Sequence, residues 1–475
     1  MAMEHGVKAA KVETGVSAPI VAESGIIFAV GAAPAHMAGG KAGGVVRASN
    51  YREAVGQLGY SDDWESYGLS EVIYTAFKLY QVAPVYFVNV LDPAKHKKQG
   101  SGEYDVADGQ VRLPFEAVAE SVKIAGKEKG SDFEAFYDGE ACIVEFLDGT
   151  EGAVTVSYDA VDPSKVTKGD IIGGYDVATH KTSGLELIDG VFPKYGEAPD
   201  IILCPNWSQD AEVAAVMSAK AEAINGLFQA VAITDICTGG EGGVSYYTEA
   251  PAWKKSSGMV NANQIVCFPR LRLGGREFNY SSQLAALMAQ TDSSEEYGDG
   301  SPCEAASGKA LQADSMALAD GTEVILDQQQ ANYLNDNGIV TALNLFNGFV
   351  SWGSWTACYP SSRDPVDYFY SIGRMFRWVA KTVTLSYWSY IDRRMSSRLL
   401  DAILQGINDW LNMLAAEEKI VGGRVELNED ENSETALMQG KAKFHIYLTP
   451  PSPLVHLEFV LEYDASYLAG LLSVS

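Results

Sequence analysis

Residues 200–236 restrict the folds open to this chain more than any other segment. The apolar run DIILC (200–204) leads through Ser208 into an Ala-rich stretch over roughly 209–225, and then into QAVAITDI (229–236). Two short β-type runs bracketing a helix form a βαβ unit, the connection that lets consecutive strands lie parallel. Strands of a parallel pair are covered on both faces, which accounts for their nearly unbroken apolar character. Related alternation appears nearer the start. A strand is expected at 25–31, and Asn50 and Glu53 have capping-box spacing for a helix reaching Leu58. Ser70 is expected to cap a second helix whose apolar face is Val72, Ile73, Ala76, Phe77 and Tyr80. Pro84 then introduces the buried-strand run PVYFVNVL.

Residues 99–190 differ in character. They hold 19 acids against seven bases and show β-type alternation in CIVEF (142–146) and VTVSY (154–158), which reads as a small acidic sandwich inserted into the α/β chain. Further on, QIVCF (264–268) is another strand candidate, residues 239–262 read as loop-rich, and 289–322 read as irregular. A polar helix over 327–337 stops at Gly338. Asn347-Gly348, between IVTALNLF and FVSW, is the strongest short hairpin signal. Long helices are expected at about 364–391 and 396–418, before Gly422-Gly423. Two strand-like runs split by Pro450, Pro451 and Pro453 follow.

Composition removes several functional classes. With 35 Lys and Arg against 62 Asp and Glu the net charge is −27, which repels phosphate backbones, so no direct nucleic-acid contact is expected. No apolar stretch approaches ~18 residues, so no membrane insertion is expected. The run IIFAVGAAPA (26–35) has the small residues of an export signal, but Glu4, Glu13 and Glu23 precede it and a strand is the better reading. The six cysteines are widely spaced, giving no zinc or disulfide framework, and Cys204 and Cys267 sit in apolar runs as small buried hydrophobes.

The chain shows little chemistry. Gly308-Lys309 is a failed phosphate loop, no GxGxxG follows a strand, and neither GxSxG nor HExxH occurs. The histidines are scattered; His445 and His456 lie in β-type runs and read as structural. Asp364 and Asp367 stand at a helix start, where the dipole favours acids without catalysis. No catalytic residue, metal site or cofactor is therefore expected, and the chain reads as non-enzymatic. The sharpest local feature is electrostatic: Arg363, Arg374, Arg377, Lys381, Arg393, Arg394 and Arg398 face only Asp364, Asp367 and Asp392 over 363–400. At ~100° per residue, Arg374, Arg377 and Lys381 share one helix side, with Ile372, Phe376, Val379 and Val383 opposite. Such a stripe is either a solvated face or one aimed at an acidic partner.

Taken together, several segments resemble the contractile tail sheath family of phages, R-type bacteriocins and related injection systems. SGIIFAVGAAP, SNYREAVGQLG and PVYFVNV are similar to its N-terminal block, and EAPDIILCPNWS with QAVAITDI to its middle block. LNDNGIVTALNLFNGFVSWGSWTA resembles its hairpin motif, and IDRRMSSRLLDAILQGINDWLNMLAAEEKIVGG its C-terminal block. Trp355 stands where an arginine often follows the Trp-Gly pair.

The resemblance implies a multidomain α/β (α+β) fold. A terminal arm (1–20) is followed by an inner core built from both chain ends (21–94 with 331–463). A β-rich, sandwich-like insertion (95–190), an outer α/β domain (191–330) and a C-terminal arm (464–475) complete the division. It implies a structural subunit that polymerises helically around an inner tube and contracts to drive it through a cell envelope. Its partners are then other copies of itself, the inner tail tube protein, and baseplate and tail terminator proteins. The protein would be made in the bacterial cytoplasm and end in a virion tail or injection particle. Arg374, Arg377, Lys381, Arg393, Arg394 and Arg398 become candidates for the tube-facing surface. Val7, Val12, Val455, Leu457, Phe459 and Leu461 become candidates for strands added to neighbouring subunits, since residues 1–20 have too few large apolars to bury themselves. The alternatives are an α/β enzyme with an unrecognised site, resting on the βαβ unit alone, and a monomeric surface-binding protein using the acidic insertion.

Overall fold

A computed structural model describes residues 19–38, 42–139, 141–346 and 348–472. The βαβ unit lies where the sequence places it. Strand Ile201–Leu203, helix Ala211–Glu222 and strand Val231–Asp235 are consecutive, and the two strands pair in parallel. They belong to a six-stranded sheet whose order is Gln264–Cys267, Val231–Asp235, Ile201–Leu203, Ile27–Gly31, Val85–Asn89 and Val45–Ala48. Only the last strand runs antiparallel, against Val85–Asn89. One face of the sheet is covered by helices Gly68–Tyr74 and Tyr280–Ser293, the other mainly by Ala211–Glu222 and the segment Gly184–Gly190.

This sheet alters the expected division of the chain. Ile27–Gly31 pairs on one side with Val85–Asn89 and on the other with Ile201–Leu203. Residues assigned to separate domains, 21–94 and 191–330, therefore share one hydrogen-bonded layer, because a parallel sheet excludes water only when its strands are adjacent. The insertion is also shorter than 95–190. Its two sheets span Lys97–Val106 to Gly152–Val161 and enclose their own core of Val111, Leu113, Phe133, Cys142, Val144 and Val156. After Val161 the chain returns to the main body, where Val166, Ile171, Leu185, Ile188 and Val191 pack under the central sheet. The insertion is closed at its neck: Lys97 pairs with Val161, and Asp162 donates its amide to the His96 carbonyl at 2.9 Å.

Local signals hold unevenly. Asn50 caps helix Tyr51–Leu58 by accepting from the Glu53 amide, while the Glu53 carboxylate receives the Ser49 amide. Ser70 is not a cap: it lies inside helix Gly68–Tyr74, fully buried, with its hydroxyl accepting from the Ser61 amide. The stretch 280–293, read as part irregular, is a helix buried on nearly every side. Its seclusion leaves no amphipathic period to detect. The first long helix breaks at Phe369 into Pro365–Tyr368 and Tyr370–Tyr387, with the Asp364 carboxylate accepting from the Val366 amide. The second is Ser397–Ala416, and Gly422-Gly423 open a strand, Gly422–Glu426, paired with His445–Thr449.

The helix pair and this small sheet form a further core of Met375, Trp378, Val379, Ile407, Trp410 and Leu411, which also takes in Ala22. The start of the described chain lies along helix Tyr370–Tyr387. The Ile20 and Ala22 amides donate to Ser386 and Thr382 hydroxyls, and the Trp378 indole donates to the Ala22 carbonyl at 2.8 Å. Two ion pairs fasten the same helix to the sheet. Arg374 forms a bidentate pair with Asp292 at 3.0 and 2.5 Å, and Ser24 donates to the same carboxylate at 2.6 Å. Lys381 meets Asp200 at 2.5 Å, and Asp200 also accepts from the Ile26 amide. Burial works against the Arg374 cation, but the Asp292 carboxylate more than offsets it and holds its pKa above the ordinary value.

Two outcomes follow from these buried charges. Asp292→Ala strands the Arg374 guanidinium and should cost about 3–5 kcal/mol in denaturant unfolding, whereas Asp292→Leu with Arg374→Met should recover most of that loss. Equal loss in both variants would deny the pair its role. The second concerns Lys254, which is buried and donates to the Asn337 carbonyl at 2.6 Å just beyond helix Gln328–Asn335. Burial pulls its pKa from 10.5 down to about 8. Between those pH values the unfolded chain binds a proton that the folded chain lacks, so this group's contribution to stability rises with pH. Relative to Lys254→Met, the wild-type chain should gain roughly 3 kcal/mol across that window in urea titrations.

Candidate functional site

A doubly wound sheet takes ligands at the carboxyl ends of its strands, where the winding reverses. Here that point lies between Ile27–Gly31 and Ile201–Leu203, and the chain's own residues narrow it to a cleft of about 330 Å³ lined by Trp64, Glu71, Asn206 and Asn279. The Leu69 amide donates to the Ala32 carbonyl, and Gly68 lies so close that a Cβ would stand 3.1 Å from the Asn206 amide nitrogen. Asn206 holds a left-handed φ of 66° and donates to the carbonyls of Trp64 and Glu65. Its carbonyl accepts from Asn279, which also donates twice to the buried Glu71 carboxyl. Burial pushes the Glu71 pKa up to about 8. Among the described residues no three His, Cys, Asp or Glu side chains converge as a metal-binding group, and no helix is long and apolar enough to cross a membrane.

The basic island separates into two groups. Arg374 and Lys381, expected on a tube-facing stripe, are instead 4% and 5% exposed and closed off by Asp292 and Asp200. The helical wheel placed them on one side correctly, but that side faces carboxylates 82 and 181 positions away in sequence. Wheel arithmetic cannot distinguish such a face from a solvated one. Arg377, between them, is half-buried in a cleft of about 350 Å³ with Glu222, Gln229, Asn263 and Asp367. Its Nη1 is buried without a hydrogen-bond partner, and burial together with the Arg374 charge lowers its pKa to about 10.

The second group is at the surface. Between helices Tyr370–Tyr387 and Ser397–Ala416 the chain turns through an exposed tip carrying Arg393 and Arg394, with exposed Arg398 in the first turn of the following helix. Arg393 donates to the Ser389 carbonyl and lies 4.5 Å above the Tyr390 ring. Trp388 and Ile391 are 57% and 69% exposed beside it. The tip thus combines cations with large apolar side chains, a composition suited to a protein partner.

The chain ends were the other candidates. Val7 and Val12 lie outside the described residues. After His445–Thr449 the chain continues past Pro450, Pro451 and Pro453 as an arm that forms no ladder with the rest of the described chain. Val455, Leu457, Phe459 and Leu461 project from it at 52%, 63%, 78% and 95% exposure. The arm's first residues, with Trp352 and Trp355, line a groove of about 480 Å³. Trp355 forms an aromatic cluster with Tyr359 and Phe369, at ring separations of 5.6 and 6.0 Å, so the position that often holds arginine is here part of the packing. His445 pairs with Glu431 at 3.1 Å inside its strand, whereas His456 is exposed on the arm.

No protein-family model matches the chain. The tail sheath protein of Burkholderia phage BcepMu is 23% identical to it over 98% of both chains. Among solved structures, the sheath of the extracellular contractile injection system PVC in its contracted state aligns with a TM-score of 0.58. That likeness has 10% identity and covers 98% of this chain and 99% of the other. The contracted helical sheath of the anti-feeding prophage gives 0.57 at 13% identity, covering 98% and 100%. An end-to-end sequence relationship to a tail sheath protein thus accompanies the same fold over the same length. These likenesses support a contractile tail sheath family for the chain and a structural sheath subunit as its role.

Proposed function

We propose that this subunit polymerises helically around an inner tube and that the polymer contracts to drive the tube through a cell envelope. The observation that carries this reading is the arm after Pro453. Residues 454–463 (LVHLEFVLEY) are rich in large apolar side chains, which stand in water, and they lie outside any helix or strand and form no ladder with the other described residues. Such a segment is stabilised by adding to the sheet edge of another copy. Head-to-tail links of this kind do not close on themselves and generate stacked, open-ended assemblies. Residues 1–20 supply the second arm. Linked strands persist while compact modules repack, and that permits contraction without disassembly.

The exposed tip with Arg393, Arg394 and Arg398 is the surface best suited to an acidic tube, and Arg377 contributes at most from its cleft. Baseplate and terminator proteins meet the two ends of the polymer, and the subunit's role in the particle is structural.

Two experiments examine this. A chain lacking residues 454–475 should unfold at the wild-type temperature yet form no tubes by electron microscopy; tubes of normal yield would end the arm hypothesis. Charge reversal at Arg393, Arg394 and Arg398 together should leave a folded, soluble subunit that no longer assembles on purified tubes. Normal decoration of tubes by that triple variant would move the tube contact elsewhere.

A further inference from the structure

The hairpin Thr341–Leu345 and Gly348–Trp352 does not adopt the register its turn residues favour. Asn-Gly at 347–348 belongs in the centre of a two-residue turn, which would set Phe346 opposite Phe349. The observed register pairs Leu345 with Gly348 instead. This slip keeps each side chain on its own face, so burial alone does not exclude either arrangement. The base of the hairpin makes the choice. Tyr280 donates to the Thr341 carbonyl at 2.6 Å with its oxygen 3.2 Å from the Ser351 hydroxyl, and Asn335 donates to the Trp352 carbonyl at 3.0 Å. Leu311 donates to the Phe349 carbonyl, and Ser351 donates to that of Lys309. Thr341, Ala342 and Ser351 are all fully buried.

The cost appears at the tip. Phe346 is held at φ 51°, a left-handed conformation that a bulky side chain rarely adopts, and its ring is 101% exposed. Backbone strain and a fully hydrated aromatic ring coincide at one residue, and both are imposed by contacts elsewhere. We infer that Phe346 is the anchor of a contact between two copies of this chain, an inference that rests on the sheath-polymer reading above. A projecting aromatic is the residue type that dominates binding energy when it enters a partner's surface. Charge selects the partner. Residues 338–353 contain no Asp, Glu, Lys or Arg, in a chain of net charge −27. Two such acidic copies repel over most of their surfaces, and an uncharged apolar tip is where they can touch without that penalty.

The test places the photoreactive analogue p-benzoylphenylalanine at position 346 and irradiates assembled sheaths. Cross-linked peptides joining position 346 to a second copy are expected. Cross-links only within one chain or only to another protein, or none, overturn the inference. Separately, Phe346→Gly, which suits a left-handed backbone, should melt no lower than wild type while needing a roughly tenfold higher concentration to polymerise. Wild-type chain that forms no tubes would overturn the sheath reading and this inference with it. Tubes formed equally well by wild type and Phe346→Gly would overturn the inference alone.

Discussion

Helix Tyr370–Tyr387 is held between two bodies of the molecule by opposite charges buried on one of its sides. Arg374 reaches Asp292 at the end of the helix that covers the central sheet, and Lys381 reaches Asp200 just before a central strand. Pairs of this kind add little net stability, because desolvation consumes most of the attraction, but a misplaced partner is costly. They therefore specify position. One helix turn of displacement would leave two cations and two carboxylates unpaired out of water. Met375, Trp378 and Val379 of the same helix enter the core it shares with Ser397–Ala416, so the charged contacts fix where that apolar core sits. Through Ser24 and Ile26 the same carboxylates also align the segment leading into the first strand.

With its central joint fixed, the molecule divides into compact parts and extended ones. The sheet, the sandwich and the helix pair each bury their own apolar side chains. The arm beyond Pro453 buries little of its own, and the basic tip at 388–398 is exposed throughout except at Tyr390. The residues left in contact with water are thus both the most apolar and the most basic stretches of the C-terminal region. An isolated soluble protein has no physical use for that arrangement, whereas a subunit completed by its neighbours does.

Much of the scaffold was legible because its signals are local. The βαβ unit, the Asn50 cap, the Asp364 cap and the sandwich strands depend on residues within a few positions of one another. What escaped depended on distance or on seclusion. Helix Tyr280–Ser293 is buried nearly all round and has no polar face to reveal its period. The joining of 27–31 with 201–203 is a contact between remote segments that no window of sequence contains. Arg374 and Lys381 were misread for the same reason: their carboxylates are not in the helix that carries them. At 347–348 the turn chemistry was read as the local rule dictates, and tertiary contacts at the hairpin base moved the register. For the candidate surfaces, the tip and the arm were visible as composition, but only the fold separates Arg393, Arg394 and Arg398 from the bases that are spent inside.

The neck of the sandwich carries a consequence of its own. Its first and last strands enter and leave the main body as immediate ladder neighbours, Lys97 beside Val161, with the His96 carbonyl and Asp162 amide bonded beneath them. The flanking chain ends are already within the span of a tight turn. Beyond the neck the two parts also touch side by side: Phe115 and Tyr137 of the sandwich meet His36 of the main body edge-on, and Phe115 also meets Tyr67. A replacement for the sandwich therefore has to meet two conditions: chain ends set as ladder neighbours at the neck, and apolar cover for His36 and Tyr67. The neck and this aromatic seat together make the sandwich a fitted part, set in one orientation by two separate attachments.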